Sequence, residues 1–124
     1  MKTTALTKLF NAILLALCLF TTPALLAHNS IKTTTPSDEA VMHEAPAELM
    51  LSFTDSTYLM TVEVNNAQGE NVLTDFSAPQ EAASSFSVAL PAGLAAGIYT
   101  VQWMVVGDDT HEVKGQFTYT VSAS

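Results

Sequence analysis

At 124 residues the chain is long enough for one domain and too short for two. It is 48% hydrophobic, 13% charged and 8% aromatic, with one cysteine and a formal charge of −8. The acidic balance makes nucleic acid and anionic lipid surfaces poor partners.

The apolar and acidic residues are not evenly mixed. Met1 to Lys8 carries Lys2 and Lys8 and no acid, Leu9 to Phe20 is an almost unbroken apolar run, and Thr21 to Ala27 turns polar and then small. Basic, apolar and cleavage regions in that order predict a secretory signal. The apolar run falls short of the ~20 residues a helix needs to cross a bilayer, so cleavage is expected and an anchor is not. Cleavage fits after Ala24, flanked by the small Thr22 and Ala24, or after Ala27, where the bulky Leu25 is the weaker feature. Cys18 does not read as a lipoprotein site, because Leu17 precedes it and it lies inside the apolar run.

Taking residues 1–27 as the signal leaves a domain of residues 28–124, 97 residues long, with Lys32 and Lys114 against all twelve acids and a net charge of −10. Cys18 departs with the signal, so the exported domain has no disulfide and depends on a packed core or a bound ion.

Short alternating segments follow. Glu48 to Phe53 places Leu49, Leu51 and Phe53 on one face. Met60, Val62 and Val64 alternate with Thr61, Glu63 and Asn65, and Asn65 to Gly69 has turn chemistry. Phe86, Val88 and Leu90 form the next apolar face, closed by Pro91 and Gly93. Ile98 to Val106 is the strongest strand, with Tyr99, Val101, Trp103 and Val105 inward. In the last strand Val113, Phe117, Tyr119 and Val121 oppose Lys114, Gln116, Thr118 and Thr120, and Gly115 lies on the inward face, leaving room for a bulky neighbour. The pattern predicts an all-β domain, a small Greek-key β-barrel or sandwich of immunoglobulin-like shape. Trp103 and Phe117 belong to one antiparallel hairpin, and its loop, Gly107-Asp108-Asp109-Thr110-His111, gathers ligand-capable side chains at one end.

His28 becomes the N-terminal residue if cleavage follows Ala27. An N-terminal His offers its α-amine and its ring nitrogen to one metal, and reference pKa values near ~7.7 to 8.0 and ~6.5 let both lose protons near neutrality. Asp109 and His111 are two apart, so in an extended loop their side chains point the same way. Three nitrogens and one carboxylate oxygen in a tetragonal plane suit Cu(II), whereas Zn(II) prefers a tetrahedron. Taken singly these residues have plainer roles: a lone His in a turn is commonly a solvated surface residue, and Asp108 and Asp109 are common turn formers. His43, in Val41-Met42-His43-Glu44, is read as a surface residue.

The stretch Trp103-x-Val105-Val106-x-x-Asp109-x-His111-x-x-x-Gly115-x-Phe117 resembles the C-terminal signature of the CopC family of periplasmic copper-binding proteins. The start at His28, Thr35-Pro36 followed by Ala45-Pro46, Leu51-x-Phe53 and Gly97-x-Tyr99-x-Val101 also match that family's pattern. The resemblance implies Cu(II) binding through the N-terminal amine and ring of His28 with Asp109 and His111. It also offers Asp55, two residues after Phe53, as an axial or outer group, although an acid in Asp-Ser-Thr is commonly a turn residue. Two departures leave the ligands intact: Met104 stands where the family usually has Arg, and Glu112 where it usually has Pro. Met42, Met50, Met60 and Met104 are scattered, so a separate Cu(I) site is not expected.

The leading expectation is a periplasmic Cu(II) carrier or sequestering protein for copper homeostasis or resistance, and not an enzyme. Its partners would be the copper ion and a copper-transporting membrane protein or another periplasmic copper carrier. Two alternatives are a histidine-brace oxidative copper enzyme, for which the chain shows no flat aromatic platform, and a metal-free immunoglobulin-like interaction module. No residues suggest Ser, Cys or paired-carboxylate catalysis, and there is no Gly-rich phosphate loop.

Overall fold

A computed structural model describes residues 31–123. The predicted signal, both candidate cleavage positions and His28 lie outside the described residues. Among the described residues every regular element is a strand: β1 (Ile31–Thr35), β2 (Ala40–Met42), β3 (Glu48–Asn65), β4 (Ala83–Ala89), β5 (Gly97–Val106) and β6 (Glu112–Val121).

The 18-residue β3 organises the fold. Its first half lies between β1 and β4, antiparallel to both, with Ile31 opposite Phe53 and Phe86 opposite Leu51. Its second half crosses to pair with β5, from Tyr58 opposite Val106 to Asn65 opposite Thr100. Beyond β5 lie β6, antiparallel, and then β2, parallel to β6. The two sheets thus share one bent strand and close on a single core, as the all-β sandwich reading expects.

Period-two patterning explains which side chains enter that core. Tyr99, Val101, Trp103 and Val105 of β5 are all buried, as are Phe117, Tyr119 and Val121 of β6. Trp103 meets Phe53 edge-on at 5.1 Å between ring centroids, an arrangement that aromatic quadrupoles favour and that ties β5 to the first half of β3. The Tyr99 hydroxyl donates to the Ala95 carbonyl at 2.5 Å, pinning the approach to β5 to the strand itself.

Three expectations change. Glu48–Phe53 and Met60–Val64, read as separate strands, are one strand bent between its two sheet partners. Met60 does not share the core face of Val62 and Val64. The register shifts between Leu59 and Thr61, so the extra residue of a bulge turns Met60 outward to 44% exposure and seats Leu59 in the core. The short β1 and β2 were not anticipated, because Ile31–Thr35 and Ala40–Met42 carry too little alternation to announce a strand.

Candidate metal centre

The β5–β6 hairpin forms as the sequence suggests, with Trp103 opposite Gly115 and Val106 opposite Glu112 as the last pair before the loop. The loop is a compact turn and not the extended segment assumed from the spacing. The Thr110 N–H donates to the Gly107 carbonyl at 3.0 Å, and the Gly107 N–H donates to the His111 carbonyl at 3.4 Å. Thr110 closes the turn with φ of 62°, a left-handed conformation that such hairpins usually give to Gly or Asn and that a β-branched residue adopts under strain.

Asp109 and His111 nevertheless meet, for a different reason from the one the spacing gave. An Asp109 carboxylate oxygen, Oδ1, accepts from the His111 N–H at 3.3 Å, while Oδ2 lies 3.0 Å from His111 Nδ1. The side-chain contact with His111 is the main influence holding the Asp109 carboxyl below the usual carboxylate range, supported by the backbone N–H of the same residue. With the proton on Nδ1 the imidazole donates to Asp109, and the Nε2 lone pair is left free to accept a hydrogen bond or bind a cation. Both side chains are accessible, His111 at 82% and Asp109 at 47% exposure, so an ion from solvent can reach them.

Asp55 is exposed and lies between Phe53 and Thr57 on β3, at the bend between the sheets. Among the described residues no three His, Cys, Asp or Glu side chains converge as a metal-binding group. The topology still brings three segments toward one end of the sandwich. Ile31 begins β1 opposite Phe53, the bend follows at Asp55, and Tyr58 pairs with Val106 immediately before the loop. His43 is exposed, as expected, and its Nδ1 lies 3.1 Å from the Ser122 Oγ.

Sequence reasoning missed Thr57 and Thr110. A threonine in a β-rich sequence signals only strand propensity, so neither the buried hydroxyl of the first nor the positive φ of the second had a local marker.

Residues 31–122 match the family model for the CopC domain. Protein YobA of Escherichia coli K12 is 29% identical over 103 residues, covering 81% of this chain and 83% of that protein. Copper resistance protein C of Xanthomonas campestris pv. juglandis is 30% identical over 103 residues, covering 77% and 80% respectively. Among solved structures, CopC from Methylosinus trichosporium OB3b superposes with a TM-score of 0.66 at 21% identity, over 77% of this chain and 94% of that one. PcoC, described as a methionine-rich copper resistance protein from Escherichia coli, gives 0.58 at 22% identity, over 77% of this chain and all (100%) of that one. The two solved structures bear on the fold alone, and the family match rests on residues spanning all six strands and the Asp109–His111 hairpin. The chain therefore belongs to the CopC domain family.

Proposed function

We propose that this protein captures Cu(II) in the periplasm and carries or sequesters it for copper homeostasis or resistance, acting as a binder and not as an enzyme. Relatives named copper resistance protein C support a copper-related resistance function. The observation that carries the finer reading is the exposed Asp109–His111 pair, held 3.0 Å apart at the end of the hairpin. His111 supplies a ring nitrogen, Asp109 a carboxylate, and His28, exposed as a new N-terminus by cleavage after Ala27, supplies an amine and a second ring. Ile31, three residues after His28 in the chain, starts β1 at the bend end of the sandwich. Asp55, on that bend, is the axial or outer candidate.

This donor set fits Cu(II): nitrogen-rich, without thiolate, and exposed for exchange. Capture needs the amine and imidazoles deprotonated, so affinity falls as pH drops through their apparent pKa values and acidification favours release. A copper-transporting membrane protein or another periplasmic carrier would receive or deliver the ion. Mass spectrometry of exported protein should give His28 as its first residue, and a Cu(II) titration should reach one equivalent. Both His28→Ala and His111→Ala should abolish tight binding, and full affinity in either variant would sink this ligand assignment.

A further inference from the structure

Thr57 is buried at 1% exposure and, among the described residues, is the one buried polar side chain that is not aromatic. A hydroxyl buried without a partner is costly, and Oγ1 donates to the Val106 carbonyl at 2.9 Å. Its place in the fold is specific. Thr57 opposite Ala83 is the last contact of β3 with β4, and Tyr58 opposite Val106 is the first with β5. The backbone of Thr57 thus closes one sheet while its side chain holds the other.

The Val106 carbonyl and the Gly107 N–H belong to one planar peptide unit. Thr57 holds the oxygen of that plane, and its N–H points to the His111 carbonyl at 3.4 Å. The next carbonyl, that of Gly107, accepts from Thr110, the left-handed residue between Asp109 and His111. Rotation of the 106–107 plane would move both hydrogen bonds that shape the loop. Thr57 also lies two residues after Asp55, so one hydroxyl couples the bend of β3 to the base of the hairpin.

We infer that Thr57 is a positioning residue for the copper-binding hairpin: its hydroxyl fixes the 106–107 peptide and thereby the placement of Asp109 and His111 relative to the β3 bend. The consequence for copper rests on the function proposed above, whereas the effect on the loop does not. The test compares Thr57→Val, which keeps the shape and removes the donor, with Thr57→Ser, which keeps the donor and loses a methyl group.

In metal-free exported protein, Thr57→Val should accelerate amide exchange at Gly107, Thr110 and His111 by about tenfold beyond any change at core amides such as those of Val101 and Tyr119, the scale of one neutral hydrogen bond. Thr57→Ser should leave the loop amides near wild-type rates even if its melting temperature falls. With Cu(II) added, Thr57→Val should lose about tenfold in affinity and shift the paramagnetic resonance spectrum, and Thr57→Ser should restore both. The inference is overturned if loop exchange in Thr57→Val merely follows the core, or if Thr57→Ser behaves like Thr57→Val. A wild-type protein that takes up no stoichiometric copper, while its loop amides still respond to Thr57→Val, would overturn the copper function and uphold the structural role of Thr57.

Discussion

The indole of Trp103 fills the space that a side chain at position 115 would need. The two residues are directly opposed across β5 and β6, and a Cβ added to Gly115 would fall 2.7 Å from Cε2 and 2.9 Å from Cη2 of the ring. The far face of the relationship is equally fixed, since Phe53 stands edge-on to the same indole with the ring planes at 77°. Trp103 is therefore held between the glycine and the first half of β3, and cannot give way without disturbing the junction of the sheets.

Gly115→Ala should accordingly destabilise the domain by about 1 to 3 kcal/mol, the usual cost of overpacking a core. In a domain of this size each ~1 kcal/mol lowers the melting temperature by about 4–8 °C. Thermal denaturation followed by tryptophan fluorescence reads both the loss and any displacement of the indole. A variant as stable as the wild type would show that Trp103 has another place to go.

Tyr119 gives the fold an alkaline limit. Its side chain is fully buried, its hydroxyl has no hydrogen-bond partner among the described residues, and it stacks on Tyr99 with centroids 5.3 Å apart. Burial, with a smaller contribution from Tyr99, pushes its pKa up to about 12. Because the unfolded chain releases this proton first, near ~10, stability is fully present below that pH and is lost as pH rises from there through the folded value. Tyr119→Phe should remove that alkaline loss. It should also raise stability at neutral pH by about 1 kcal/mol, since an unpaired hydroxyl leaves the core. Denaturant titrations at neutral pH and above pH ~10 check both.

The fold was legible wherever burial imposes alternation. Tyr99, Val101, Trp103 and Val105 announced β5, and the missing side chain at Gly115 announced a large neighbour. It was less legible where one residue breaks the period: the bulge at Met60 is invisible in a pattern that continues smoothly through Val62 and Val64. The Asp109–His111 pair was found in the sequence through an extended geometry that the loop does not adopt. What joins the pair is an Asp-centred turn closed by a left-handed Thr110, above a peptide whose carbonyl accepts from the distant Thr57 hydroxyl.

Thr110 provides a direct probe of that turn. Its φ of 62° is in the region that costs a β-branched residue roughly 1–2 kcal/mol, whereas Asn tolerates it. Thr110→Asn should raise stability by about 1 kcal/mol in denaturant unfolding without changing the slope of the transition. An unchanged or lowered stability would mean that the threonine side chain contributes more to the loop than its strained backbone costs.

Asp109 and His111 make the pH dependence of the hairpin itself predictable. His111 holds the Asp109 carboxyl below its ordinary value, mainly through the side-chain hydrogen bond. The folded state therefore binds this proton less readily than the unfolded one. The contribution of the pair is present above the unfolded carboxyl pKa of ~3.9 and is lost as pH falls through the lower folded value. In a carboxyl NMR titration of the metal-free domain, His111→Ala should return the Asp109 midpoint toward the ordinary carboxylate range. Asp109→Asn should remove the acid-limb contribution while leaving the hairpin strands intact, because β5 and β6 are held by their own ladder from Gly97 to Val121. The exposure of the pair keeps the effect on stability small, so the informative quantity is the titration midpoint. An Asp109 midpoint that does not respond to loss of the imidazole would show that the contact between these two side chains does not hold in solution.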